Sequence, residues 1–342
     1  MRWTLTEDQE LFQEAFRGWL ERFAAADQVR GWLEAGDPTP FERRFVEEGW
    51  FAVGTAEENG GQGGGLVELA LAAEELGRSA APSAAWLASV LAAPFLSEVP
   101  DLAATSLEGG EFTVLAVSAD HPLDAGGPEG ATVPYVLAGD RAQRFLVLDG
   151  DRVLLADATC VPRKLLDRSR SVADVTPEST TTVLLEHGAR NLLRRAALRA
   201  AVLVAADSLG AAERMLDLAV EYSKQRHQFG AAIGSFQAVK HAAATMLVEV
   251  EAARSLVYYA AASVEAGHED AALHAAAAKA QVGAAAERIA DSALTVHGAI
   301  GYTWEHDLQL FYKRAKLNNR LFGGPDVWNE RLAALLPLVP AA

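Results

Sequence analysis

The pattern of apolar positions near the N-terminus predicts an amphipathic helix. Thr6 and Gln9 have the spacing of a capping box, which marks the start of a helix. Apolar residues then recur at helical intervals: Leu11, Phe12, Ala15, Phe16, Trp19, Leu20 and Phe23. One face of this first helix is therefore expected to pack against a core.

Two further helices are predicted nearby, around 41–49 and over 67–76, with Gly77 ending the second. The glycine-rich stretch 60–65 between them predicts a loop. It lacks the strand–loop–helix setting and the Lys-Ser/Thr of a P-loop, so a tight turn is favoured over a phosphate site. Residues 1–108 are predicted to form an all-α domain.

The pattern changes after residue 108, where short runs rich in β-formers alternate with Gly and Asp turns. The predicted strands are 112–117, 135–138, 145–149 and 181–185. They indicate a small, reduced antiparallel β domain over 109–188.

Long Ala- and Leu-rich helical segments follow at 194–225, 234–265 and 270–296, with a last helix near 326–336. Long helices joined by short loops imply an antiparallel bundle, here of the four-helix type over 189–342. The predicted fold class is α+β: an N-terminal all-α domain, a middle β domain and a C-terminal helical bundle.

Composition and net charge limit the kinds of molecule that this chain is expected to bind. Of 342 residues, 50% are hydrophobic and 22% charged, as in a soluble globular protein. The net charge of −16 disfavours nucleic acid and anionic membrane surfaces, and no apolar run reaches the ~18 residues of a membrane helix. The single Cys160 and the spacing of the histidines predict no metal site. The first residues do not resemble a signal peptide, so a cytoplasmic location is expected.

A polar cluster follows the predicted helix that ends near residue 225. Arg226, Gln228 and Phe229 precede a glycine, and Gln237 lies shortly after. An always-charged guanidinium suits phosphate oxygens, so these residues could form one cofactor-phosphate site. A charged helix C-terminus with a glycine stop is an equally good interpretation of this segment taken alone.

A third motif spans 293–306. Gly298 and Gly301 would allow a backbone to approach a ligand closely. His297 could be an acid or base, although a polar lining residue is the favoured interpretation. No Ser/His/Asp or Cys/His arrangement stands out in the chain.

Taken together, these motifs resemble the acyl-CoA dehydrogenase family across almost the whole chain. Gly49-Trp50, 57–61 and 74–77 look like that family's N-terminal domain. The segment 226–230 looks like its Arg-x-x-Phe-Gly element, and 293–316 aligns with the segment that begins near its Gln-x-x-Gly-Gly. The resemblance implies the family's three-domain fold and its FAD-dependent desaturation of acyl-CoA thioesters.

The resemblance also implies a cofactor site. In the family these elements hold the adenosine and pyrophosphate of an FAD whose flavin lies in the neighbouring subunit. Arg226 would then pair with pyrophosphate, with Gln237 as a second polar contact. Thr295 stands where the family has Gln, and Ala299 where it has the second Gly. The cofactor-binding residues implied are Arg226, Gln228, Phe229, Gln237, Thr295 and Gly298.

The family's catalytic carboxylate has no counterpart. Phe322 occupies the usual position of the Glu that removes the α-proton, and the alternative position falls at Ala200. Asp326 and Glu330, the nearest acids downstream, would be misplaced by one or two helical turns. The family's flavin-cradling segments, Thr-Glu-x-x-x-Gly-Ser-Asp and Trp-Ile-Thr-Asn, also find no match in 109–188.

These departures favour a non-catalytic subunit that resembles the β chain of heteromeric α2β2 bacterial acyl-CoA dehydrogenases. It would complete the FAD site of a homologous catalytic subunit. An acyl-CoA, with steroid side-chain CoA as one class, is the expected substrate of the complex, and an electron-transfer flavoprotein its electron acceptor. Two alternatives remain: a self-sufficient enzyme with a displaced base such as Asp326, or a flavin-free scaffold.

Overall fold

The computed structural model describes residues 4–99, 101–103, 111–124 and 131–336. Its helices are α1 Glu7–Phe23, α2 Ala26–Ala35, α3 Thr39–Glu47, α4 Leu66–Ser79, α5 Ala84–Leu96, α6 Ala189–Gln225, α7 Gln237–Glu265, α8 Ala271–His297, α9 Leu308–Arg320 and α10 Pro325–Leu335. Its strands are β1 Thr113–Leu115, β2 Val133–Leu137, β3 Arg144–Asp149, β4 Arg152–Arg163, β5 Val172–Leu185, β6 His227–Gln228 and β7 Ala231–Ala232. This order of helices, sheet and helices confirms the predicted fold class. The expected boundary at residue 108 lies outside the described residues.

The first helix begins where the capping box predicts. The Thr6 hydroxyl accepts the Gln9 N–H at 3.3 Å, and the Gln9 side chain accepts the Thr6 N–H at 3.1 Å. The apolar face of α1 packs into an aromatic cluster with Phe41, Phe45 and Trp50. Helix α2 was not predicted, because Val29 is its only buried residue.

Gly77 does not end its helix, contrary to the prediction, because α4 continues to Ser79. A Cβ atom on Gly77 would lie 2.0 Å from the Asp207 carbonyl oxygen, and one on Gly210 would lie 1.8 Å from the Glu74 carbonyl oxygen. Both glycines are therefore needed for the close approach of α4 to α6, and not for a turn.

The middle sheet has the strand order β1-β3-β4-β5-β2. It is mixed, and the expectation of a purely antiparallel sheet is wrong, because β1 pairs with β3 in parallel. The other pairings are antiparallel. Strand β4 was missed because its second half is largely exposed and carries no apolar alternation. The predicted strand 181–185 is the end of the longer β5.

The C-terminal part is built around α6, whose stretch Ala200–Ala212 is buried without interruption. Helices α7 and α8 pack beside it, as the long Ala-rich segments predict. Helix α9 was not predicted, since its sequence is rich in charged and amide residues. Its buried polar residues show that it belongs to the interior: Gln309, Arg314, Asn318 and Asn319.

A buried ionic cluster joins the three parts of the chain. Asp207 of α6 accepts hydrogen bonds from Arg314 of α9 at 2.8 and 2.5 Å. It also accepts from Arg170, before β5, at 2.7 Å and from Asn318 at 2.6 Å. Arg314 donates further to the Ala81 carbonyl oxygen between α4 and α5 at 2.7 Å. Burial alone would raise the pKa of Asp207, but the two guanidinium groups outweigh it and hold the pKa at about 2.

We expect Asp207→Asn to lower the free energy of unfolding by about 3–5 kcal/mol, because it leaves two buried guanidinium groups without their carboxylate. Asp157→Asn is the control, since its ion pair with Arg144 is exposed and such pairs are worth up to ~1 kcal/mol. Urea unfolding of both variants measures the difference.

The same variant has an expected pH signature. The pKa of Asp207 is depressed from its ordinary value of 3.8 to about 2, so its stabilisation is present above pH 3.8 and is lost as the pH falls towards 2. The wild-type chain should lose stability over that window more steeply than Asp207→Asn. Parallel curves for the two proteins would show that Asp207 is not ionised in the folded state.

Candidate functional site

The segment after α6 forms a small hairpin at one end of the helical bundle. Arg226 leaves the helix with extended backbone, while its N–H still donates to the Tyr222 carbonyl oxygen at 2.9 Å. Strands β6 and β7 pair on either side of the turn Phe229-Gly230. Both turn residues have positive φ, 53° and 83°, as a type I′ hairpin requires.

Phe229 lies at the tip of this hairpin with 94% of its surface exposed. Its left-handed backbone costs about 1–2 kcal/mol relative to a glycine. Its ring contacts Phe236 edge-on, with centroids 6.2 Å apart. Neither burial nor backbone preference explains a phenylalanine here, so its ring is available to a ligand or a partner chain.

The predicted polar residues surround this tip. Arg226, Gln228 and Gln237 are exposed, and their side chains make no hydrogen bond within the part of the chain that the structure describes. Gln237 is the first residue of α7. The hairpin thus brings a guanidinium, two amides and an aromatic ring to one end of the bundle, with their donors free.

The second predicted segment lies at the C-terminal end of α8. Gly298 has a φ of 66°, and a Cβ there would meet nothing within 4 Å, so the glycine is required by its backbone conformation and faces open space. Thr295 is exposed, but its hydroxyl donates to the Asp291 carbonyl oxygen one turn earlier in α8, at 2.8 Å. At Gly301, by contrast, an added Cβ would lie 2.9 Å from a methyl carbon of Leu294, so no larger residue fits there without a shift.

A stacked pair of rings joins the two segments. Tyr222, one turn before Arg226, stacks on His297, directly before Gly298, with centroids 4.6 Å apart. His297 is buried, and its Nδ1 atom is 2.7 Å from the Ala293 carbonyl oxygen. Burial lowers the pKa of His297, which favours the neutral ring. The structure therefore gives His297 a packing role.

Phe322 lies in a sealed seam between the C-terminal helices and the middle sheet. Its side chain is 2% exposed, and its backbone is left-handed, with φ of 56°. Its N–H donates to the Ala119 carbonyl oxygen at 2.6 Å, and its own carbonyl oxygen accepts from Trp328 at 2.9 Å. A Cβ on Gly323 would lie 2.9 Å from Pro122, which shows how closely the two parts meet.

A buried lysine, Lys279, donates hydrogen bonds to the backbone on either side of Phe322. The Lys279 ammonium donates to the Asn318 carbonyl oxygen at 3.1 Å and to that of Gly323 at 3.0 Å. Burial lowers the pKa of Lys279 to about 7. The loop that carries Phe322 is thus held by hydrogen bonds on both sides.

The other candidate base positions are equally unsuited. Ala200 is 1% exposed within α6. Asp326 and Glu330 are exposed on α10, whereas Phe322 is buried. Within the described residues no group of three or more His, Cys, Asp or Glu side chains is placed to hold a metal ion. Over the same residues, no helix has the length and apolarity needed to cross a bilayer.

Comparison with known proteins gives matches along most of the chain. The model of the acyl-CoA dehydrogenase N-terminal domain matches residues 6–99, and that of the C-terminal domain matches residues 187–334. The acyl-CoA dehydrogenase IpdE2 of Mycolicibacterium smegmatis is 34% identical over 96% of this chain and 99% of its own length. The acyl-CoA dehydrogenase FadE34 of Mycobacterium tuberculosis is 31% identical over 97% of this chain but over 48% of its own length.

Two solved structures are similar in fold. A chain of the ChsE4-ChsE5 complex from Mycobacterium tuberculosis superposes with a TM-score of 0.85 at 22% identity, covering 100% of both chains. A variant of the steroid ACAD Tcur3481-Tcur3483 superposes with a TM-score of 0.84 at 25% identity, covering 97% of this chain and 98% of that one.

We expect Phe229→Gly to leave the fold intact and to raise the free energy of unfolding by up to about 1 kcal/mol, because it relieves a left-handed phenylalanine that packs little. Gln228→Gly, one residue earlier in ordinary strand backbone, should instead lower it by roughly 0.5–1 kcal/mol. Thermal unfolding separates the two. A loss of about 3–5 kcal/mol for Phe229→Gly would make the ring a core residue.

Proposed function

This chain belongs to the acyl-CoA dehydrogenase family, and we propose that it acts there as a subunit that completes the FAD site of a catalytic sister chain. The family is that of FAD-dependent oxidoreductases, and the resemblance drawn from the motifs is confirmed by both domain matches. The proposal concerns what this member does within the family's α,β-desaturation of acyl-CoA thioesters.

The observation that carries the proposal is the sealed seam at Phe322. Removal of a weakly acidic α-proton requires a positioned base, and a phenylalanine accepts no proton. The base must also face the flavin across the substrate. Here the Phe322 N–H donates directly to the Ala119 carbonyl oxygen, so the loop that carries Phe322 packs against the middle domain.

The hairpin supports the other half of the proposal. A chain that served only as a scaffold would have no need for an exposed, strained Phe229 beside free donors on Arg226, Gln228 and Gln237. An FAD fits these groups: the guanidinium would hold pyrophosphate, the amides would bind polar atoms, and the ring would cover the adenine. Thr295 and Gly298 would border the same cofactor through their backbone. The flavin would lie in the sister chain, which supplies the catalytic Glu.

The relatives agree with a paired arrangement. The ChsE4-ChsE5 structure is a complex of two named chains, and Tcur3481-Tcur3483 is a steroid ACAD of two named parts. About half of FadE34 lies outside its match to this chain, which leaves room for a second unit of similar length. We therefore propose an α2β2 assembly in the cytoplasm that acts on a steroid side-chain CoA and passes electrons to an electron-transfer flavoprotein.

A self-sufficient enzyme is less well supported. Asp326, the displaced base that it would need, is exposed on the first turn of α10. Because Asp326 is exposed, its carboxylate does not face an enclosed site.

The purified chain alone should be colourless and should not oxidise acyl-CoA thioesters. Co-expressed with its sister chain, it should co-purify as a yellow complex with one FAD per pair of chains and should turn over. Flavin absorbance, chain stoichiometry and dye reduction measure this. The control is the complex with the sister's catalytic Glu replaced by Gln, which should stay yellow and lose turnover. Robust turnover by the isolated, homogeneous chain would contradict the proposal.

In that complex, we expect Arg226→Ala to weaken FAD binding by about ten- to a hundredfold, because one charge-assisted contact is lost. Lys224→Ala is the matched control, since Lys224 is an exposed cation two residues away that makes no hydrogen bond among the described residues. Flavin retained after dialysis gives the comparison. Equal retention by both variants and the wild type would mean that Arg226 does not contact the cofactor.

A further inference from the structure

A separate cavity of about 220 Å³ lies between the N-terminal helices, the start of the sheet and the start of α6. Its walls are mostly apolar and include Phe51, Leu69, Val90 and Ala93. An engineered apolar cavity of about 150 Å³ is enough to hold benzene. This cavity therefore has room for a medium-length alkyl chain or a carbocyclic ring.

Two arginines of α6 reach this apolar space. Arg195 and Arg199, one helical turn apart, both line the cavity. Arg195 is exposed and Arg199 is half-buried, so the cavity opens to solvent beside Arg195. Burial, and then the charge of Arg195, lower the pKa of the Arg199 guanidinium, which shows how poorly that charge is solvated.

The charge of Arg199 is only partly balanced, because the Glu265 carboxylate raises the pKa of Arg199 less than burial and Arg195 lower it. Its one hydrogen bond in the described part of the chain runs from Nη1 to the Val90 carbonyl oxygen at 3.5 Å, the outer limit for such a bond. That carbonyl lacks its helical donor, because Pro94 four residues later has no N–H. No carboxylate forms an ion pair with Arg195 or Arg199 within the described residues. Most of the Arg199 donors are therefore unused.

A second polar group in the wall is also unsatisfied. The Ser89 hydroxyl lines the cavity, is buried, and has no hydrogen-bonding partner among the residues that the structure describes. A buried polar atom without a partner costs about 1–3 kcal/mol, and a charged group costs more, so the Ser89 hydroxyl and the poorly solvated Arg199 guanidinium both favour a ligand that supplies acceptors.

We propose that this cavity binds an amphipathic carboxylate, with its apolar body against Phe51, Leu69 and Ala93 and its carboxylate on Arg199. The guanidinium fork matches a carboxylate with two parallel hydrogen bonds. Arg195 at the opening attracts the anion, and Ser89 donates to it. The site is distinct from the Arg226 hairpin and from the Phe322 seam, and it does not depend on whether the chain binds FAD.

The test is calorimetric titration of the full chain with octanoate. We expect saturable binding at a ratio of one, with octan-1-ol, which has the same chain but no charge, at least tenfold weaker. Arg199→Met keeps the length of the side chain and should weaken octanoate about ten- to a hundredfold while leaving octan-1-ol unchanged. Arg194→Met, an exposed arginine of the same helix, is the control and should change neither.

Two further measurements keep the test decisive if Arg199→Met folds poorly. Ala93→Leu adds bulk within the cavity and should abolish binding of both ligands without altering the Arg226 hairpin. Octanoyl-CoA, whose carboxylate is blocked as a thioester, should not displace octanoate. Absence of octanoate binding up to millimolar concentration, equal affinity for octan-1-ol, an equal effect of Arg194→Met, or displacement by octanoyl-CoA would each overturn the proposal.

Discussion

The ion cluster centred on Asp207 is the constraint on which the arrangement of this chain depends. One carboxylate on α6 receives two guanidinium groups, one from α9 and one from the segment before β5. Taking such charges out of water costs several kcal/mol each, and only their mutual contacts offset that cost. The three parts of the chain are therefore fixed in one relative orientation, since any other would bury unbalanced charge. The adjoining contact of Gly77 with α6 sets how closely the helices approach at the same level.

The Phe322 loop and the Arg226 hairpin differ in burial: the loop is buried against the middle sheet, and the hairpin is exposed. Helix α9, tied at Arg314 and Asn318, delivers the Phe322 loop onto the middle sheet, and Lys279 locks it there. At the hairpin end the opposite holds: the donors of Arg226 and the ring of Phe229 point away from the chain's own core. A chain closed where chemistry would occur, and open where a cofactor's phosphates would lie, is suited to complementing another chain's site. The buried Phe322 loop is consistent with one part of the proposed role, the absence of a base on this chain. The exposed hairpin is consistent with the other part, a contribution to the sister chain's FAD site.

Sequence reasoning succeeded where the signal is local. The capping box of Thr6 and the Ala-rich periods of α6 to α8 depend on neighbours within a few residues, and both were predicted. It failed where the cause is distant: Gly77 was interpreted as a helix stop because its contact, Asp207, lies 130 residues away. The parallel pairing of β1 with β3 was missed for the same reason. The sequence holds only a weak signal for the Arg199 cavity, namely Pro94 inside α5 and the four-residue spacing of Arg195 and Arg199. Tertiary packing brings these residues together, and the sequence alone does not predict it.

The backbone conformation and burial of Phe322 affect which substitutions at this position the fold can accept. A carboxylate introduced by one codon change would enter a dry seam, on a left-handed residue whose N–H is already committed to Ala119. A buried charge without a partner raises the free energy of the fold before any activity is gained. For a carboxylate at position 322 to be solvated, the seam would first have to open. A chain with the carboxylate in a closed seam would be less stable than its parent, so the seam opposes that substitution. Selection can then act on the hairpin and the interface while the seam stays closed.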